Sequence, residues 1–540
     1  MKKSRFILLI TLVIVFDVQE MACSCFNFGL YGPPHMNDRV YERLDEQAFV
    51  ELTNEIYALL EEDGNLNKIK QLRDKFFVDY YWAASTMYTL ASINYDKDNT
   101  SQYWAEESVW ITNFASIVDN TTLEIEKAIF SSEYYSEDFI KIYGQDYANS
   151  ILIDELESEE QLAILAEIAT LEAQYNNLYA ENNGAALYET FIKLINARNR
   201  YARTKTNSEG NPYKNFMDYA YENVRGREYS PEDVVEFRNA IKTNFLPVKN
   251  LLESLASQYT ATATLSEKNV LSYLPYVIQN TCPTMISSWN YMIEKGLYDF
   301  TYSTKKANTS YVTHFNAYGD AFMFVNPSNS VIHDLKTLIH EFGHYNEVFM
   351  SDPSLADPNG VSSYDLLETH SQAFEFITLP SVKNLFNNNY SNVENLYETY
   401  LYNKFDSDVW TLLINCAFDE FEYVVYNADP EELTPSFLRN QFSRVWEYYW
   451  GGANPDFYQV PHFFAAPAYC ISYAVSLVFS AEIWASDDSI NNYLTAVKYG
   501  GANHLSTVYT ALGLESPLST STVETVANEY KEYINTYILN

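Results

Sequence analysis

The chain has 540 residues, with 34 Lys and Arg against 72 Asp and Glu, for a net charge of −38. At 47% hydrophobic and 20% charged it is too apolar for bulk disorder. Its acidic balance leaves no basic footprint for nucleic acid or for docking to an anionic membrane surface. With only 16 Gly and 17 Pro, collagen-like, linker-rich and low-complexity architectures are excluded, and long regular helices are expected.

Lys2, Lys3 and Arg5 precede an apolar run from Phe6 to Phe16, which Asp17 and Glu20 close. About a dozen apolar residues are too few to span a bilayer and have the layout of a signal peptide. Residues 1–22 are therefore expected to direct export, whether to the medium, a periplasm or the cell surface. Met21-Ala22-Cys23 also admits a lipoprotein signal with Cys23 acylated, although Glu20 stands where such signals usually carry Leu. No later stretch is long and apolar enough for a transmembrane span, so none is expected in the mature chain. The cysteines (Cys23, Cys25, Cys282, Cys416 and Cys470) are too few and scattered for a disulfide framework. The last three are expected to be buried free thiols. Sequons at Asn99, Asn120, Asn308 and Asn389 matter only in a cell that glycosylates its exports.

From about 36 to 200 the apolar residues recur with helical spacing. The clearest case runs from 158 to about 181. Ser158 and Gln161 form a capping box there, and Leu162, Leu165, Ile168, Leu171, Tyr175 and Leu178 follow at intervals of three and four. Asn182-Asn183-Gly184 ends it. A weak polar boundary at Asn196–Asn211 separates an N-terminal helical region, 23–200, from a larger region, 201–540. Ser230-Pro231-Glu232-Asp233 reads as a helix start, and Pro247 and Pro275 punctuate the helices that follow. Between 298 and 327 short aromatic and branched runs, Tyr298–Ser303 and Asp320–Asn326, predict strands of a small sheet. Helical periodicity then continues to the C-terminus, so the fold is expected to be mainly α with one small sheet.

The chemistry concentrates after 330. His340-Glu341-Phe342-Gly343-His344 is His-Glu-x-x-His on a helix, with Val331, Leu335, Leu338, Ile339 and Phe342 as its apolar face and Asn329 or Ser330 as its cap. Imidazoles at i and i+4 project from one face and can reach a single Zn²⁺, and Glu341 can take a proton from an attacking water. Gly343 costs about 1 kcal/mol against Ala inside a helix, which points to close approach of another backbone. Glu368 and Glu375, seven residues apart, share a face of a second helix. Glu368 is the expected third ligand, completing a His₂Glu set, and Glu375 is expected to orient a ligand His. His370 lies about 200° from Glu368 and is expected on the helix surface. His462, Tyr469 and Tyr473, in an apolar segment near the C-terminus, could donate to a developing oxyanion. On residue types alone that signal is weak, and a tyrosine in a helical core is the commoner case.

At these residues the sequence resembles the oligoendopeptidase F branch of the thimet oligopeptidase family, zinc peptidases whose third ligand is Glu. His340–His344 is similar to that family's HExGH, Glu368–Glu375 to its ExxSQxxE, and Pro461-His462-Phe463 through Tyr473 to its C-terminal His/Tyr motif. Asn211–Ala220 with Tyr229–Val234, and Lys295–Asp299, resemble the family more weakly. The likeness covers about 205–480. It implies a neurolysin- and thimet-oligopeptidase-like prolate helical fold, with a deep substrate channel and the small sheet beside the zinc helix. It further implies one Zn²⁺ on His340, His344 and Glu368, and Glu341 as general base. His462 and Tyr473, with Tyr469, would bind the substrate carbonyl. Glu347 departs from the family, many members of which have His there.

The expected function is an exported zinc endopeptidase acting on short peptides. Two alternatives stay open. One is a dipeptidyl carboxypeptidase on the same scaffold, which needs a cationic anchor for a C-terminal carboxylate. The other is a surface-displayed peptide-binding protein without catalysis.

Overall fold

The computed structural model describes residues 33–539 apart from 154–157, 208, 358–361 and 453. The expected signal peptide and the candidate anchor Cys23 lie outside the described residues. No described helix is long and apolar enough to cross a membrane. The described residues form two compact units. One joins described residues of 33–153 to 286–328, and the other joins those of 158–285 to 329–539.

In the first unit, α1 (Glu46–Leu60) starts at Asp45, whose carboxylate accepts from the Gln47 and Ala48 N–H groups. It buries Phe49, Leu52 and Ile56. The long α2 (Gln102–Phe130), capped by Ser101, lays Ile111, Phe114, Val118, Ile125 and Ile129 against the same core. The sheet belongs to this unit. Its strands β1 (Tyr298–Asp299), β2 (Ser310–Phe315) and β3 (Asp320–Val325) lie in the order β1-β3-β2, with β1 parallel and β2 antiparallel to β3. Central β3 is buried along its whole length, which explains its unbroken apolar run. β2 was not singled out as a strand, because Thr313 and His314 interrupt its apolar pattern.

In the second unit, the capping box of α3 (Glu159–Ala180) forms as read. Ser158 N–H donates to Gln161 Oε1 at 2.7 Å and Gln161 N–H to Ser158 Oγ at 3.2 Å. The buried stripe is Ile164, Ile168, Leu171 and Tyr175, whereas Leu162 faces solvent. One corner of the expected face is therefore rotated out. Asn182, at φ 57°, turns the chain into α4 (Gly184–Arg203). That helix runs into the expected 196–211 boundary as far as Arg203, and both its flanks lie in this unit. The expected regions 23–200 and 201–540 thus do not coincide with the compact units. Ser230 and Asp233 close a turn, and α5 (Val234–Leu255) begins after it. Pro247 and Pro275 sit inside helices rather than between them.

The centre of this unit is built from α6 (Val331–Met350), α7 (Thr369–Ile377), α8 (Leu396–Tyr426), α9 (Cys470–Ala485) and α10 (Thr520–Tyr537). α7 packs on α6 and α9, and α8 packs on α5 and α9. α9 carries almost no polar face, since Cys470 through Ala481 are buried except Tyr473. It is the core helix of the unit, which accounts for its nearly continuous apolar sequence. Cys282, Cys416 and Cys470 are free and buried, as expected.

Candidate functional site

α6 starts at Ser330, whose hydroxyl accepts from His333 N–H. Leu335, Leu338, Ile339 and Phe342 point into the core, which turns His340 and His344 to the opposite, half-buried side. Their ring centroids are 5.0 Å apart. Glu368 sits at the joint between a short helix, Tyr364–Leu367, and α7. One of its carboxylate oxygens lies 3.3 Å from His340 Nε2 and 3.5 Å from His344 Nε2. The donor atoms of the three residues all fall within 4.8 Å of one another. Among the described residues they are the one cluster of His, Cys, Asp or Glu that could hold a metal ion.

The electrostatics favour a cation here. Burial alone would lower the His340 pKa, but Glu368 and Glu375 hold it well above the usual imidazole value. Burial alone would raise the Glu368 carboxyl, but the two histidines hold it well below the usual carboxylate range. Glu375 Oε1 takes a 2.7 Å hydrogen bond from His340 Nδ1. That bond leaves Nε2 as the free donor atom turned toward Glu368. Glu341 is 6% exposed. Burial raises its carboxyl above the ordinary value, and the neighbouring histidines oppose that shift.

Gly343 is required by a close approach. A Cβ at this position would stand 2.6 Å from Ser371 Cα and 2.7 Å from the His370 carbonyl oxygen. α6 and α7 therefore meet backbone to backbone, and this brings Glu375 of α7 and Glu368 at its N-terminal joint to the histidines of α6. His370 is not on the helix surface. It is 1% exposed, and burial, then the charge of His344, push its pKa down to about 3. The surface expectation failed because the side of α7 away from Glu368 is itself covered, by α9 and by the helix Ser489–Tyr499.

His462, Tyr469 and Tyr473 come together. His462 stacks on Tyr469 at 5.8 Å and 24°, and the Tyr469 and Tyr473 rings are 5.0 Å apart. The Glu368 charge acts on both tyrosines, whose hydroxyls burial holds above their usual pKa. The two clusters are therefore close enough to interact electrostatically. Burial, then the Arg225 charge, push His462 down to about 4, so its imidazole is neutral near pH 7.

Buried polar side chains that the sequence alone did not single out hold this segment in place. Arg198 donates to the Phe463 and Phe464 carbonyls. Arg225 donates to the Pro467 carbonyl at 2.9 Å and lies under the Tyr364 and Tyr469 rings. Glu422 accepts from Ala468 N–H at 3.2 Å, at a residue whose φ is 60°. Three serines one turn apart on α9 then tie Tyr473 to Glu368. Ser472 donates to the Asp365 carboxylate, Ser476 to the Asp365 carbonyl, and Ser480 to the Thr369 carbonyl. Such bonds contribute about 1 kcal/mol each, and here they also set the spacing of the site. The Ser472/476/480 repeat was visible as a pattern, but nothing in the sequence said what it would face.

Tyr473→Phe keeps the ring and removes the hydroxyl. On the expectation that this hydroxyl donates to an oxyanion, its loss should lower kcat on a peptide by about 10²-fold, with KM little changed.

Comparisons with known proteins give a family match over part of the chain and a likeness of fold. Residues 284–527 match peptidase family M3. No curated protein sequence matches the chain. Among solved structures, PZ peptidase A, determined with an inhibitor, is 19% identical over 93% of this chain and 99% of its own, with a TM-score of 0.71. Two proteins provisionally named oligoendopeptidase F are similar. One is 18% identical over 93% and 99% of the two chains, with a TM-score of 0.72. The other, from Bacillus anthracis str. Ames, is 19% identical over 94% and 99%, with a TM-score of 0.71. At these identities the structural likeness is one of fold. The matched segment holds both histidines, all three glutamates and the His/Tyr cluster described above, so the likeness to peptidase family M3 falls on the part of the chain that carries the candidate site.

Proposed function

We propose that the chain is a zinc-dependent oligopeptidase that hydrolyses internal bonds of short peptides, and that it works outside the cytoplasm. The observation that carries the reading is the convergence of His340, His344 and Glu368 beside the buried Glu341. The donor set fits zinc, since two imidazoles and a carboxylate leave a fourth position open. Zn²⁺, when bound, supplies Lewis acidity at the scissile carbonyl and makes water a better nucleophile. The chain's own residues do the rest. Glu341 takes the proton of the attacking water and passes it to the leaving amine. Tyr473 and Tyr469 donate to the carbonyl oxygen as charge develops on it, and neutral His462 supports them. Export rests on the pattern in residues 2–22, and restriction to short peptides rests on the family resemblance.

The test is hydrolysis of a quenched peptide by the purified chain. A chelator should abolish turnover and added zinc should restore it, while a folded protein substrate should stay intact. Persistence of full activity in chelator would overturn the zinc reading. Cleavage that vanishes when the peptide C-terminus is amidated would favour a dipeptidyl carboxypeptidase.

The charge of −38 predicts a substrate preference. At low salt, Lys- and Arg-rich peptides should show higher kcat/KM than Asp- and Glu-rich ones, by about 10-fold or more, with the gap closing as salt rises. Equal rates at low salt would leave the charge as a matter of solubility.

A further inference from the structure

α8 carries a lysine ammonium into the core of its unit. Lys404 is 0% exposed. Its Nζ lies 2.7 Å from both carboxylate oxygens of Asp408, one turn on. It is also 3.8 Å from the centroid of the Phe376 ring and 3.3 Å from Glu375 Oε2. The other oxygen of that carboxylate, Oε1, holds His340 Nδ1 at 2.7 Å. Asp408 is held in turn by the Tyr530 hydroxyl at 3.0 Å. A continuous buried row, His340–Glu375–Lys404–Asp408–Tyr530, therefore runs from the candidate metal centre through α7 and α8 to α10. A buried carboxylate needs a partner for its charge, and an ammonium fixed from behind by Asp408 gives Glu375 one direction in which to lie.

We propose that Lys404 is a positioning residue for the metal centre: it anchors Glu375 Oε2 so that Oε1 receives His340 Nδ1–H and His340 Nε2 faces Glu368. This rests on the zinc reading above. An ion pair that only stabilised the helix core would contribute to the melting temperature and leave metal affinity untouched, because Lys404 touches no candidate ligand.

The experiment measures zinc affinity of the full chain by competition with a chromogenic chelator, alongside thermal unfolding of the metal-free form. Lys404→Met leaves two buried carboxylates without a cation and threatens folding. Lys404→Met/Asp408→Asn removes one charge of each sign at similar volume and serves as the folded test. In the folded variant, zinc affinity should fall about 10- to 100-fold, the range for partners behind metal ligands. Glu375→Gln should show a similar loss, and adding it to the double variant should cost little more. Lys404→Arg should recover part of the affinity. A folded double variant that binds zinc as tightly as the wild type overturns the proposal alone. A wild-type chain that binds no zinc overturns the zinc reading and the proposal with it.

Discussion

Glu341→Gln is expected to keep the fold and the metal and to lose at least about 10²-fold in kcat, the contribution of a positioned general base. Glu341 lies one residue beyond His340, outside the ligand set, so amide for carboxylate leaves the three donors where they are. Its side chain is buried, and burial raises its carboxyl above the usual value. A carboxylate made more basic in this way is better matched to taking a proton near neutral pH. Gln has the same shape and cannot accept that proton. The measurement pairs turnover of a quenched peptide with zinc content per chain. Near-wild-type turnover with zinc retained would remove Glu341 from the mechanism. Loss of zinc would mean that the residue holds the site together instead.

Gly343→Ala is expected to have the second large effect, and its sign separates two physical terms. On an exposed helix the change would stabilise by about 1 kcal/mol, because Ala is the better helix former. Here the new Cβ would stand 2.6 Å from Ser371 Cα and 2.7 Å from the His370 carbonyl oxygen. Both are backbone atoms of α7, so relief requires α6 and α7 to move apart. Overpacking of this kind costs typically 1–3 kcal/mol, and backbone against backbone belongs at the upper end. The separation also draws Glu368 and Glu375 away from His340. The variant should melt at lower temperature and bind zinc about 10-fold more weakly or worse. A higher melting temperature with unchanged zinc affinity would show that the two helices are not in the contact described.

The residues of the site differ in how legible they were. His340 and His344 were plain, because spacing along one helix fixes which side chains share a face. The pair Glu368 and Glu375 follows the same rule, and both reach His340, one at each ring nitrogen. Gly343 was readable as an anomaly, a helix-weakening residue in an otherwise well-formed helix. The backbone that meets it could not be named in advance. His370 was misread because helix geometry says which residues face Glu368 but not what covers the opposite side. Lys404 and Asp408 look in the sequence like an ordinary surface i,i+4 pair. Only their neighbours Leu401, Phe405 and Leu412, buried on every side of α8, hinted otherwise. Arg198, Arg225 and Glu422 had no local signal. Each acts on a segment 46 to 266 residues away in the chain.

What the sequence by itself determined is whatever depends on local repeats. This includes the helical character, the capping boxes, the apolar faces, the metal-ligating spacing and the resemblance those blocks carry. At the division expected about residue 200, α4 continues to Arg203 within the unit that holds the site. Tertiary structure alone decided which charges are buried and against what, and how the His/Tyr segment is pinned beside Glu368. The reason is physical. Periodicity constrains a side chain's direction relative to its own helix axis, whereas burial and charge pairing depend on which other helix arrives there. Those arrivals join residues hundreds of positions apart, through contacts that leave no regular spacing in the chain.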